Sequence, residues 1–202
     1  MISIIDYKAG NAPSVYNALK SLNIECKLVH HSAELEEASG IILPGVGSAG
    51  ETMKSLRDMD FIPLLNELVI NQKVPFLGIC VGLQVLFDYS EEGNTNCLGW
   101  IPGKVSKFPA SEVRVPQMGW NKVTFLRSSP LTYGVPNNSY LYFVNSYFAL
   151  PTDSSYTLGS TNYHVEFCSV VSHENIHATQ FHVEKSGEVG LKILENFCLL
   201  KG

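Results

Sequence analysis

The sequence is poor in charge, and it lacks any long uninterrupted apolar run. Charged residues make up 16% of the 202 positions and the net charge is −5, with no Lys/Arg cluster. Nucleic-acid binding relies on a basic footprint, so that class of partner is not expected. The longest apolar stretch, Val74 to Phe87, is interrupted by Gln84 and is too short to span a bilayer, so no membrane association is expected. The start, Met1 to Asp6, has an early acid and no basic segment, so a signal peptide is not expected either. The five cysteines (Cys26, Cys80, Cys97, Cys168, Cys198) are odd in number and none fall at C-x-x-C spacing. Neither a disulfide framework nor a zinc ribbon is suggested, and a reducing cytoplasm is the expected compartment. No linker, repeat or low-complexity tract divides the chain. Apolar residues, at 45%, suffice for one sizeable core.

What is present is an alternation. Ile2–Ile5, Lys27–Val29, Gly40–Leu43 and Pro75–Ile79 read as short buried strands. Helical spacing lies between and after them, at Ser14–Leu22, Glu51–Arg57, Phe61–Ile70 and Val81–Phe87. Strands separated by helices predict an α/β fold with a parallel sheet. The second half reads differently. Strands are expected at Lys104–Phe108, Asn121–Leu126, Tyr140–Leu150, Thr157–Asn162, Glu166–Ser172 and Ile176–His182, then a helix over Glu188–Leu200. The sheet is therefore predicted to be mixed, mostly parallel, with an antiparallel extension.

The segment Gly78-Ile79-Cys80-Val81-Gly82 lies between a strand and a helix. That is the cysteine form of a nucleophile elbow, where a sharp turn exposes the reactive atom. Glycines on both sides permit the strained turn, and a helix N-terminus favours thiolate. The N–H of Val81 would face a developing oxyanion. A thiolate nucleophile needs a proton shuttle, and histidine is the usual one. Of six histidines, His182 stands at a strand end two residues before Glu184. Alternate residues on a strand share a face, so the carboxylate can orient the imidazole.

Three other patterns carry less. Gly45-Val46-Gly47-Ser48-Ala49-Gly50 spells a dinucleotide fingerprint, but after the third strand and with Glu67 in a helical pattern. His173-Glu174-Asn175-Ile176-His177 spells a zinc-protease motif, but its flanks read as strands and Glu174-Asn175 as a hairpin turn. No metal or cofactor is expected from either. Asn137-Asn138-Ser139 fits a glycosylation acceptor with nothing to suggest secretion.

Gly78-Ile79-Cys80-Val81-Gly82-Leu83-Gln84 and Gln180-Phe181-His182-Val183-Glu184 together resemble the two signatures of class I glutamine amidotransferases. Within that class, Leu43–Gly47, Pro116–Asn121, Tyr142–Tyr147, Lys185-Ser186 and the stretch Asp6–Val15 resemble the glutaminase subunits of imidazole glycerol phosphate synthases. The resemblance covers essentially the whole chain. It implies a flavodoxin-like fold forming one amidotransferase domain over 1–202, without cofactor or metal. It implies Cys80, His182 and Glu184 as the catalytic triad, and an oxyanion hole from Val46, Gly47 and Val81. L-Glutamine would be bound by Gln84, Glu92, Ser146 and Tyr147, with Glu92 on its ammonium group. Ammonia would pass to a (β/α)8 synthase subunit that makes imidazole glycerol phosphate and AICAR in histidine biosynthesis. Asn11, Met118, Trp120 and Lys185 would lie at that interface. Three positions depart from the family pattern: Gln117 and Asn145, each usually His, and Val183, usually Pro. They leave two alternatives open, a paralogue supplying ammonia for acetamidino-sugar synthesis and a non-catalytic binding subunit.

Overall fold

The computed structural model describes residues 1–8 and 11–200. Ala9 and Gly10, within the stretch Asp6–Val15 that carries part of the resemblance, lie outside them. The first half builds β1 (Ile2–Ile5), α1 (Ala12–Ser21), β2 (Cys26–Val29), β3 (Gly40–Gly45), α2 (Ala49–Asp58), α3 (Phe61–Leu65), β4 (Phe76–Cys80) and α4 (Val81–Gln84). The second half builds β5 (Tyr89–Ser90), β6 (Thr95–Asn96), β7 (Gly103–Lys107), β8 (Gln117–Phe125), β9 (Ser139–Asn145), β10 (Tyr147–Pro151), β11 (Thr157–Tyr163), β12 (Val165–His173), β13 (Ile176–Thr179) and α5 (Gly187–Cys198).

Every residue of β1, β3, β4 and β13 is buried, as expected for strands covered on both faces. These strands and β2 run parallel in the order β2-β1-β3-β4-β13, the flavodoxin-like order. From β13 the sheet continues antiparallel through β12 and β10 to β7. A branch leaves β12 through β11 to the β8–β9 hairpin. The fold is thus α/β with a mixed, mostly parallel central sheet, as predicted. One apolar cluster runs through it, from Ile2 and Ile4 to Leu194 and Phe197.

The helices follow their local signals. Helix α1 carries Pro13 in its first turn and buries Ala12, Val15, Ala18 and Leu19, one helical stripe. Helix α2 is capped by Ser48, whose Oγ accepts from the Glu51 N–H at 3.2 Å. The literal dinucleotide fingerprint is therefore a strand end leading into this cap. The hairpin expected at Glu174-Asn175 is present, with His173 and Ile176 closing the β12–β13 pair.

Some boundaries differ from the reading of the sequence. The helix expected over Val81–Phe87 stops at Gln84, and the chain turns at once toward β5. The apolar run gives no sign of this, because the turn is as buried as the helix. Tyr140–Leu150 is two strands broken at Ser146: β9 pairs with β8, whereas β10 returns to the main sheet. The strand expected to reach His182 ends at Thr179.

Candidate active site

The carboxyl ends of β3 and β4 and the break between β9 and β10 meet around one cleft of about 280 Å³. Open parallel sheets place ligands outside the carboxyl ends of their strands, and this cleft obeys that rule. Gly45 and Cys80 are register partners there. Cys80 occupies the turn between β4 and α4 with φ +57° and ψ −106°, outside the regions where a residue with a Cβ rests easily. Such backbone strain costs about 1–3 kcal/mol and persists only where the surroundings enforce it. The enforcing contacts are glycine contacts. A Cβ on Gly82 would lie 2.0 Å from the Leu43 carbonyl oxygen, and one on Gly78 would lie 2.4 Å from the Gly82 oxygen. Only hydrogen at these two positions lets β3, β4 and α4 close on one another.

The thiol is buried, donates to the Val144 carbonyl at 3.8 Å, and accepts from Gln180 Nε2 at 3.7 Å. Gln180 is in turn held by Gln84, whose Nε2 donates to Gln180 Oε1 at 3.0 Å and to the Tyr147 carbonyl at 3.2 Å. Gln180 opens the second signature, yet its residue type and spacing point to no role. Its place beside the thiol comes from the β4–β13 pairing, which no local pattern announces.

His182 and Glu184 come together, but through a turn and not through strand alternation. Val183–Lys185 forms one 3-10 turn, and His182 caps it with extended backbone. His182 Nδ1 and Glu184 Oε1 are 2.8 Å apart, with side chains 3% and 1% exposed. Ser186 ties this turn down: its Oγ donates to the His182 carbonyl at 2.6 Å and accepts from the Tyr142 N–H at 2.9 Å. Burial works against charge on His182, but Cys80 and Glu184 on either side more than offset it and raise the imidazolium pKa to about 10. Burial would raise the Glu184 carboxyl, yet the bond to His182 and its charge outweigh that and hold it below the usual range. Thiol, imidazole and carboxylate thus share one buried corner of the cleft and are suited to act as a nucleophile, a proton shuttle and a group that orients the shuttle.

The other expected site residues fall into two groups. Val46, Gly47 and Val81 line the cleft, as do Gln84, Glu92, Ser146 and Tyr147. Glu92 is raised by burial, against a hydrogen bond its Oε2 accepts from the Ala49 N–H at 2.8 Å. It makes no ion pair with any described residue. Lys185 is exposed at the cleft's edge. Met118 and Trp120 lie on the outer face of β8, 67% and 56% exposed, opposite Val144 and Tyr142 of β9. Asn11 is different: half-buried, its amide points inward to Glu184.

Known proteins resemble this chain in sequence and fold. The family model described as glutamine amidotransferase class-I matches residues 3–200. The chain is 46% identical to imidazole glycerol phosphate synthase subunit HisH of Dehalococcoides mccartyi, over 98% of this chain and 96% of that one. It is also 46% identical to the HisH subunit of Methanocaldococcus jannaschii, covering 98% of each. Among solved structures, its fold is similar to that of PurLQS from Thermotoga maritima, with a TM-score of 0.79 at 17% identity over 97% of this chain and 96% of the other. A structure described as a glutamine amidotransferase matches with a TM-score of 0.76 at 18% identity, covering 97% and 98%. The chain belongs to the class-I glutamine amidotransferases, and within them to the family of imidazole glycerol phosphate synthase subunit HisH. It is accordingly an enzyme of the glutaminase type.

Proposed function

We propose that this chain hydrolyses L-glutamine through Cys80, His182 and Glu184 and delivers the ammonia to a (β/α)8 synthase subunit. The observation that carries the reading is the buried His182–Glu184 pair beside a thiol held on a strained elbow. The Cys80 thiolate attacks the carboxamide carbon, and the C=O electrons move onto oxygen. Backbone N–H groups of Val81 and of the Val46-Gly47 loop, both at the cleft wall, are suited to receive that charge. Collapse of the adduct breaks the C–N bond, His182 gives its proton to the departing nitrogen, and a thioester remains. His182 then takes a proton from water, which attacks the thioester and releases glutamate and the thiolate. Glu92, half-buried and without an ion pair among the described residues, is the group suited to the substrate's ammonium. With its amide N–H groups committed to Gln180 and Tyr147, Gln84 presents only its oxygen or serves as cleft wall.

The outer face of β8 supports the partner. Exposed Met118 and Trp120 stand beside Val144, which lines the cleft, so an apolar surface borders the place where ammonia forms. Isolated large apolar side chains need no explanation, but an adjacent pair at a site's rim fits a docking face. A heterodimer in the cytoplasm, serving histidine biosynthesis and yielding imidazole glycerol phosphate and AICAR, is the assembly we infer. The alternative is the sugar branch, left open by Gln117 and Asn145, the two departures from histidine, which are direct cross-strand partners. The test is glutamate release by the chain with its barrel subunit, with and without the nucleotide intermediate. Stimulation by the nucleotide supports the histidine pathway. Stimulation only by an amidino-sugar precursor moves the chain to the other branch.

A further inference from the structure

An asparagine at a helix start normally turns its side chain onto the free backbone N–H groups of the first turn. Asn11 precedes α1 and does not; its side chain makes no capping bond. The N–H groups of Ser14 and Val15 bond to the Asn11 carbonyl, so the helix starts on backbone alone. The amide is used elsewhere. Asn11 Nδ2 donates to Glu184 Oε1 at 2.7 Å, across 173 positions of sequence. The same oxygen is 2.8 Å from His182 Nδ1. Glu184 Oε2 is buried and has no partner among the described residues.

Two donors on one oxygen fix the rotation of a carboxylate. Swinging the carboxylate away from His182 would also strain or break the Asn11 bond to the same oxygen, and low-dielectric surroundings penalise a buried bond left unmade. The amide is also neutral. It supports the carboxylate without cancelling the negative charge that the imidazolium needs, as a lysine or arginine in that place would. We propose that Asn11 is a positioning residue for the cysteine–histidine chemistry, locking Glu184 Oε1 against His182 Nδ1 from the start of α1. The proposal rests on the reading of Cys80, His182 and Glu184 as the reacting and orienting groups. It gives Asn11 an inward role distinct from a place on the partner interface, and it ties the β1–α1 connection to the proton shuttle.

Two variants separate positioning from helix capping. Asn11→Ala removes the amide. Asn11→Ser restores a good capping side chain but is too short to reach Glu184. The readouts are the His182 imidazole titration, followed by NMR on labelled full-length chain, and kcat and KM for glutamine in the complex with the synthase. Both variants are expected to lower the His182 midpoint relative to wild type, where Glu184 helps to raise it. Both should lower kcat by about tenfold, the worth of one hydrogen bond to a charged group, with KM within about twofold. Recovery of both readouts in Asn11→Ser, or an unmoved midpoint in both variants, overturns the proposal. A Cys80→Ala complex that still turned over glutamine would instead remove the underlying reading, while the imidazole titration would still decide what Asn11 does to His182.

Discussion

Gln117 and Asn145 face each other across the β8–β9 hairpin, and both bury polar atoms that find no partner among the described residues. Gln117 leaves both amide atoms unmatched, whereas Asn145 donates to the Tyr147 carbonyl at 2.9 Å and leaves only Oδ1. Buried unpaired polar groups cost about 1–3 kcal/mol, and an apolar replacement of like shape can recover part of that. Gln117→Met should therefore stabilise the chain by up to about 1 kcal/mol, read from the urea midpoint at constant slope. A loss of stability would show that these atoms are satisfied by a bound molecule.

Glu184→Gln keeps the shape of the side chain and removes its charge. The His182 imidazolium then loses one of the two groups that raise its pKa. Glutamine turnover should fall by roughly 10²- to 10⁴-fold, with KM little changed, because in the proposed mechanism the carboxylate orients the shuttle and does not touch the substrate. Kinetics equal to wild type would remove its assigned role.

Glycines here differ in what they protect. Gly82→Ala puts a methyl group 2.0 Å from the Leu43 carbonyl and should destabilise the fold by about 3 kcal/mol or more, or prevent recovery of soluble protein. Gly187→Ala meets nothing within 4 Å and suffers only its φ of +61°, at about 1–2 kcal/mol. Thermal unfolding of the two variants reads the difference between lost space and backbone strain. Equal midpoints would contradict the close packing of the elbow.

His177 supplies the pH dependence. Burial lowers its pKa from 6.5 to about 4, so it stays neutral in the fold, near Ser172 Oγ at 3.0 Å. A histidine depressed in this way contributes stability that is present above its unfolded pKa. That stability is lost as pH falls from about 6.5 toward 4, because the unfolded chain takes up the proton first. The loss attributable to this residue is on the order of 3 kcal/mol. Urea unfolding at neutral and acid pH should show a smaller acid loss in His177→Asn than in wild type. Identical losses would mean that His177 is not the group responsible.

Much of this site is legible in the amino-acid sequence alone. The symmetric glycines around Cys80 announce the elbow because hydrogen is the only substituent that fits there, and the spacing of His182 and Glu184 brings the pair into view. That spacing suggests a shared strand face, whereas the protein uses a 3-10 turn pinned by Ser186. Both geometries satisfy a two-residue spacing, and periodicity cannot separate them over so short a span. The β9–β10 break at Ser146 is hidden because apolar residues continue on both sides of it. The resemblance places Asn11 at the partner interface and gives no sign of its inward bond, because that bond spans nearly the whole chain and no local pattern encodes a contact of that length.

Glutamine hydrolysis by Cys80 on behalf of a synthase is read out by comparing wild type with Cys80→Ala in the complex with the barrel subunit. Two rates are measured for each: product formed from glutamine, and product formed from added ammonium salt. Cys80→Ala is expected to lose the glutamine-dependent rate and keep the ammonia-dependent one. Retained glutamine turnover in Cys80→Ala, or loss of both rates together, would contradict it.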